Sequence, residues 1–161
     1  MANKLNESIE KIVREAQEKG ISVTADELMK IVKTHSAGSA ASMMATGALP
    51  GVGSTIALGI EIGFVWSMYY RVCTKLGINV KKELLKSLGS AFVTNIAGSI
   101  AAQLIAGTVL SIIHGIGTAG AAIVNGLMGY SITYYSGIIF MNLLVREFNA
   151  GKSMGQYSAE E

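Results

Sequence analysis

The sequence predicts an all-α protein: two tandem helical hairpins with glycine-rich tips, forming a four-helix membrane-associated bundle, preceded by an amphipathic N-terminal helix. Three observations predict this fold. Charged residues make up 15% of the chain, against about 25% in typical soluble domains. The stretch from Gly89 to Val145 contains no Asp, Glu, Lys or Arg. Finally, a similar Gly-x-Gly break occurs in each half of the chain, at Gly51-Val52-Gly53 and at Gly115-Ile116-Gly117.

The charge-free stretch divides at His114 into arms of about 89–113 and 118–148. Each arm is long enough to cross a bilayer core, which needs roughly 20 mainly apolar residues. We therefore expect a helical hairpin that lies in a membrane or at the centre of a bundle. The 19 glycines favour close helix contact in lipid, where small residues let backbones approach. They are less suited to a soluble helix, in which each glycine costs about 1 kcal/mol relative to Ala.

The composition argues against several classes of protein. The net charge is only +2 and no basic stripe with interleaved aromatics is present, so no nucleic-acid partner is expected. The single cysteine, Cys73, excludes an internal disulfide and fits a reducing compartment. The charged N-terminus lacks an apolar core, so no cleavable signal peptide is expected.

The first predicted helix, about Asn3 to Lys19, has apolar residues at three- and four-residue spacing and ends at Gly20. A surface helix that packs on the core is favoured over an interfacial or partner-docking helix. The predicted divisions are this helix (1–20), a paired-hairpin domain (21–148) and a flexible tail (149–161).

The second predicted helix runs from Ala25 to about Leu49, with Thr24 and Glu27 forming a capping box. Its later part is rich in small residues, which suits the inside of a bundle. The third helix, about 54–76, has a GxxxG spacing at Gly59 and Gly63 that predicts a helix-packing face. Five residues near its end resemble an aromatic belt with a basic flank at a membrane surface, with ordinary core aromatics as an equal alternative: Trp66, Tyr69, Tyr70, Arg71 and Lys75.

The two hairpins are related by an internal repeat at an offset of 64 residues. The offset aligns the tip residues of the first hairpin with those of the second: Pro50, Gly51 and Gly53 with His114, Gly115 and Gly117. It also places Glu61 on Asn125, which predicts two buried polar residues at matching depth. In the second hairpin, Gly126 and Gly129 are the predicted helix-packing glycines.

Glu61 is the one acid within an apolar zone, so we expect it to be protonated, hydrogen-bonded or lining water. Its expected neighbours are polar groups such as Asn95, Gln103 or Asn125. A satisfied core carboxyl or a self-association contact is favoured over an ion or proton site.

No constellation in the chain predicts catalysis. The sequence contains no P-loop and no HExxH motif. His35 and His114 have no Cys or acid at metal-ligand spacing, and Cys73 has no nearby His. We therefore expect no enzymatic activity, no catalytic residue, no metal and no cofactor.

Four segments occur in an order that resembles the uncharacterised helical hydrophobic domain attached to some bacterial GTPases, which is also found in YcjF-type and, more distantly, EcsC-type membrane-associated proteins. They are the segments that begin at Ala48, Met68, Ile116 and Thr133, within about residues 31–148. The resemblance implies an all-helical, membrane-associated module without enzymatic activity. This chain lacks a GTPase domain, so a GTPase would have to be a separate partner.

These observations predict a non-enzymatic membrane protein that self-associates through glycine-rich helix faces, as a pore-forming or membrane-deforming homo-oligomer. The expected location is the bacterial inner membrane with the N-terminus in the cytoplasm. By the positive-inside rule the charged N-terminal region and the Lys/Arg-rich connector between the hairpins would be cytoplasmic; the basic residues of the connector are Arg71, Lys75, Lys81, Lys82 and Lys86. The alternative is a soluble or peripheral cytoplasmic scaffold that docks a partner such as a GTPase.

Overall fold

A computed structural model of the chain describes residues 2–47, 53–78 and 117–149. These residues form four helices: α1 (Ala2–Glu18), α2 (Ala25–Gly47), α3 (Gly53–Lys75) and α4 (Gly117–Asn149). The prediction of an all-α chain is thus confirmed for the described residues, among which there is no strand. The predicted arm 89–113, the tip residues Pro50, Gly51, His114 and Gly115, and the tail from residue 150 lie outside the described residues.

Helix α1 packs on the rest of the bundle through its apolar face. Ile9, Ile12, Val13 and Ala16 are all buried in the core. The helix ends at Gly20, whose φ of 77° is the left-handed conformation that glycine adopts without strain. The backbone N–H groups of Gly20 and Ile21 donate to the carbonyls of Gln17 and Ala16 at 2.9 and 3.0 Å, which is the Schellman pattern.

Helix α2 begins with the capping box that the sequence predicts. The Thr24 backbone N–H donates to Glu27 Oε2 at 2.9 Å, and the Glu27 N–H donates to Thr24 Oγ1 at 3.2 Å. Two of the N–H groups at the helix start are thereby satisfied. Glu27 also forms an ion pair with Lys75 at 2.8 Å, so the start of α2 lies beside the end of α3.

Helix α3 ends in the same way as α1. Gly77 has a φ of 65°, and the N–H groups of Gly77 and Ile78 donate to the carbonyls of Thr74 and Cys73 at 3.1 and 2.9 Å. This second Schellman turn directs Ile78 back into the core, where it is 4% exposed.

Contacts between side chains fix the directions of the three longer helices. Along α2, contacts with α3 pass from Gly38 against Phe64 to Glu27 with Lys75. Contacts of α2 with α4 pass from Met44 against Gly126 to Val32 against Gly137. Helix α2 is therefore antiparallel to both α3 and α4, and these two run parallel to each other.

The bundle has two ends of different composition. We call residues 36–47, 53–64 and 117–134 the tip end, and the remaining described residues, 2–35, 65–78 and 135–149, the charged end. Every Asp, Glu, Lys and Arg of the described residues belongs to the charged end except Glu61. The buried apolar core also lies in the charged end, and its largest members include Phe140, Leu28, Met68 and Leu76.

None of the helices in the described ranges combines the length and hydropathy that a bilayer crossing requires.

Candidate functional site

The strongest polar feature of the structure is a buried carboxyl group that joins three helices. The Glu61 side chain on α3 is 1% exposed. Ser39 Oγ on α2 donates a hydrogen bond to Glu61 Oε2, and Thr133 Oγ1 on α4 donates to Oε1 at 2.6 Å. Ser39 and Thr133 are themselves fully buried. Each carboxyl oxygen thus has its own hydroxyl donor from a different helix.

Two opposing effects act on the pKa of Glu61. Burial raises the pKa above its usual value, because it disfavours the charged form, and this effect is the larger. The hydrogen bonds from Ser39 and Thr133 lower the pKa in part. The net effect is a raised pKa in a group whose two oxygens each accept one hydrogen bond.

The prediction of the neighbours of Glu61 needs correction. Asn95 and Gln103 lie outside the described residues. Asn125 is only half-buried and precedes Thr133 by eight residues, about 12 Å along a helix. The expected matching depth of Glu61 and Asn125 is therefore wrong. The physical reason is that contacting residues of α3 and α4 are 67 positions apart for Tyr69 with Ser136 and 72 apart for Glu61 with Thr133, instead of 64. Helix α4 is therefore displaced along its axis relative to α3 by about one to two turns.

Three smaller polar contacts lie on the charged side of Glu61. His35 Nδ1 is 2.7 Å from the Ile31 carbonyl oxygen, which can only accept, so Nδ1 carries a proton. The Ser67 hydroxyl lies 3.3 Å from His35 Nε2. Further along, the Tyr69 hydroxyl and Ser136 Oγ are 2.7 Å apart.

Tyr69 is not a membrane-surface anchor in this structure. Its side chain is 2% exposed and stacks on Phe140 with ring centroids 4.0 Å apart. The other four predicted anchors are more accessible. Tyr70 and Arg71 are exposed, Trp66 is half-buried, and Lys75 is half-buried beside Glu27. The reason lies in helix geometry, because adjacent residues are about 100° apart on a helix and Tyr69 faces α4.

The predicted packing glycines fall into two classes. Gly126 and Gly129 are buried against α2. A Cβ at Gly129 would lie 2.6 Å from Met43 Sδ and 2.9 Å from Ser39 Oγ, and a Cβ at Gly126 would collide with Met44. The absence of side chains at these glycines allows α4 to lie close to α2.

Gly59 and Gly63 are exposed instead, on the face of α3 opposite Glu61. A Cβ at either position would meet no atom of the described residues within 4 Å. Ile56 and Tyr70, which are 45% and 58% exposed, continue the same face. This predicted GxxxG face is thus accessible on the surface of the described bundle.

The tip end reverses the usual distribution of polar and apolar residues. Its buried residues, where the structure describes burial, are all hydroxyl-bearing, acidic or glycine: Ser36, Ser39, Glu61, Thr133, Gly126 and Gly129. Of the nine large apolar residues that are exposed among the described residues, six lie on its surface: Met44, Ile56, Ile62, Ile123, Leu127 and Tyr130. The tip end is therefore polar inside and apolar outside, whereas the charged end is apolar inside.

Ser39 and Thr133 are the functional candidates that the sequence analysis did not identify. Both are common residue types in stretches of small and apolar residues, and their pairing with Glu61 spans 22 and 72 positions of the chain. The only signal in the sequence is the presence of a lone acid in an apolar helix, which requires donors without showing where they are.

In the part of the chain that the structure describes, the remaining reactive side chains do not form a centre. Burial raises the pKa of the Cys73 thiol to about 12, which disfavours the nucleophilic thiolate. Among the residues that the structure describes, no three His, Cys, Asp or Glu side chains are grouped so that they could hold a metal ion. Comparison with protein-family models, curated proteins and solved structures found no match.

Proposed function

We propose that this protein is a non-enzymatic helical module that associates with a membrane by inserting its tip end into the lipid surface, where copies assemble through the glycine face of α3. The observation that carries the proposal is the reversed tip end. In water, the exposure of Ile56, Ile123 and Leu127 is unfavourable, at about 25 cal/mol per Å² of apolar surface. In lipid, the same side chains face an apolar solvent.

The interior of the tip end is also suited to lipid. Helices in a bilayer gain little from apolar contacts with each other, so they associate through small residues and hydrogen bonds. Gly126 and Gly129 supply the small residues, and Glu61 with its two hydroxyl donors supplies the hydrogen bonds. The 12 residues of α2 in this end (36–47) correspond to about 18 Å of helix, close to half of a bilayer core of about 30 Å.

Aromatic residues lie at the level where the tip end meets the charged end. Tyr135 is exposed, and Trp66 and Tyr134 are half-buried. Amphipathic aromatic side chains favour the membrane–water interface. Their position supports insertion of the tip end up to this level, with the charged end remaining in water.

Vesicle flotation and fluorescence of Trp66, the single tryptophan, test membrane association. The protein is expected to float with phospholipid vesicles, and Trp66 is expected to be quenched most by lipids brominated near the headgroup. Ile56→Lys and Leu127→Lys place a charge on the tip end and should weaken flotation. Thr74→Lys, on the exposed surface of α3 in the charged end, is the matched control. The proposal of tip-end insertion would be overturned if the wild-type protein did not float. It would also be overturned if the control floated no better than the two tip-end variants, Ile56→Lys and Leu127→Lys.

Self-association is tested separately by sedimentation in detergent micelles. Gly63→Leu adds a large side chain where nothing in the described residues lies nearby, so the monomer fold is retained and close approach of a second α3 is blocked. The variant is expected to sediment as a monomer, while Thr74→Leu forms the wild-type assembly. An unchanged assembly in Gly63→Leu would show that copies do not meet through this face. A wild-type protein that assembles in water without binding lipid would instead favour the soluble scaffold.

A further inference from the structure

Within each of the three longer helices, the charged residue that follows the tip end is basic. Passing from the tip end along each long helix, the first charged residue is basic: Lys33 on α2, Arg71 on α3 and Arg146 on α4. On α2 the next is Lys30, and the acids Asp26 and Glu27 come only after it. On α2 the order of residues thus places two basic side chains between the apolar surface and the acids, and on α3 no acid lies beyond the tip end.

Lys30, Lys33 and Arg71 are all exposed. Lys33 lies three residues and Lys30 six residues beyond the tip end on α2, while Arg71 lies seven residues beyond it on α3. These spacings correspond to about 5–11 Å along a helix. The headgroup layer of a bilayer is about 5–8 Å thick on each side of the core, and long basic side chains extend along the surface toward the charge they meet.

The neighbouring charges do not cancel this set. Glu27, the nearest glutamate on α2, is engaged with Lys75 at 2.8 Å. Helix α1, which packs on α4 and α2, carries four acidic residues within its bounds together with Lys4, Lys11 and Arg14, and Lys19 directly follows it. Its contribution to net charge is therefore close to zero.

We propose that Lys30, Lys33 and Arg71, which we call the basic ring, bind the headgroups of anionic phospholipids, so that the protein prefers negatively charged membranes. This inference rests on the proposed function, because it requires the tip end to enter the lipid. The recognised chemistry is the phosphate-bearing, negatively charged membrane surface. A basic side chain close to such a surface strengthens binding about fivefold.

The test compares the full chain on vesicles of phosphatidylcholine with and without phosphatidylglycerol, an anionic phospholipid. Wild-type protein is expected to partition much more strongly onto the anionic vesicles, and added salt should reduce the difference by screening. Each substitution Lys30→Gln, Lys33→Gln and Arg71→Gln should weaken anionic binding about fivefold, and the three together about 100-fold. Binding to pure phosphatidylcholine should not change.

The matched control is Arg14→Gln with Lys19→Gln, which removes two exposed positive charges of the α1 region. It is compared with Lys30→Gln with Lys33→Gln, and circular dichroism verifies that both variants fold. An equal loss of binding in the two variants would overturn a role of the basic ring, since net charge alone would explain it. Equal wild-type binding to both kinds of vesicle would overturn anionic preference and leave tip-end insertion standing. Binding to neither kind of vesicle would overturn both proposals.

Discussion

Raising the pH should weaken the fold through Glu61, and Glu61→Gln should remove this effect. Because burial raises the pKa of Glu61 in the folded protein above its value of 4.5 in the unfolded chain, the folded state holds the proton more tightly. Between the two pKa values the unfolded state has lost a proton that the folded state retains. The free energy of unfolding therefore falls as pH rises through this window.

The size of the effect is limited by the single proton involved. One group changes the free energy of unfolding by at most about 1.4 kcal/mol per pH unit. Its contribution is fully present below the unfolded pKa and is lost once the pH passes the folded pKa. Glu61→Gln keeps the size of the side chain and an oxygen acceptor for Ser39 or Thr133, while it removes the titration.

Urea unfolding followed by circular dichroism, at several pH values between about 4 and 8, measures this difference. The wild-type protein should lose stability relative to Glu61→Gln as the pH rises, and the two should level off above the folded pKa. For Glu27 the pH dependence has the opposite sign, because the hydrogen bond from Lys75 lowers its pKa. The wild-type protein should therefore gain stability relative to Glu27→Gln as the pH rises. A stability difference between wild type and Glu61→Gln that is constant with pH, or that changes in favour of the wild type, would refute the reasoning.

Three further predictions follow from single residues. Thr24→Ala should lower the free energy of unfolding by about 1 kcal/mol through loss of the N-cap; an equal loss in Thr34→Ala, on the exposed surface of α2, would contradict a capping effect. Gly129→Ala should lower the free energy of unfolding by about 1–3 kcal/mol by overpacking against α2, whereas Gly63→Ala should raise it in the isolated protein by up to about 1 kcal/mol. The midpoints of urea unfolding measure both changes. Destabilisation by both substitutions would argue against an open space at Gly63. Cys73, fully buried with a raised pKa, should react with a thiol reagent near neutral pH only after unfolding, and prompt reaction of folded protein would show that it is accessible.

Local features of this fold could be predicted from the sequence because their causes lie within a few residues. The Thr24–Glu27 capping box needs only two side chains three positions apart. Gly20 and Gly77 end helices because each occupies a left-handed position that suits glycine. The apolar face of α1 follows from its helical spacing, and it is buried as predicted.

The contacts between helices could not be predicted in the same way, because they depend on how far one helix is displaced along another. The repeat aligns Glu61 with Asn125, but the structure pairs Glu61 with Thr133. Sequence similarity at a fixed offset carries no information about this displacement. Helices α3 and α4 run parallel, as equivalent arms of two tandem hairpins would. The second hairpin itself stays a prediction, because residues 79–116 lie outside the described part of the chain.

The reversed tip end explains why a costly buried carboxyl group is placed where it is. In the charged end, apolar side chains such as Phe140 and Leu76 hold the helices together by leaving water. In the tip end six large apolar residues are exposed and none whose burial is described is fully buried, so that driving force is weaker among its own helices. Close contact at Gly126 and Gly129 and the two hydrogen bonds to Glu61 must supply the cohesion there. These interactions do not depend on surrounding water, and a polar group without a partner is more costly in lipid than in water. A carboxyl group on one helix with hydrogen bonds to two others is therefore a suitable junction for the proposed insertion of the tip end into a membrane.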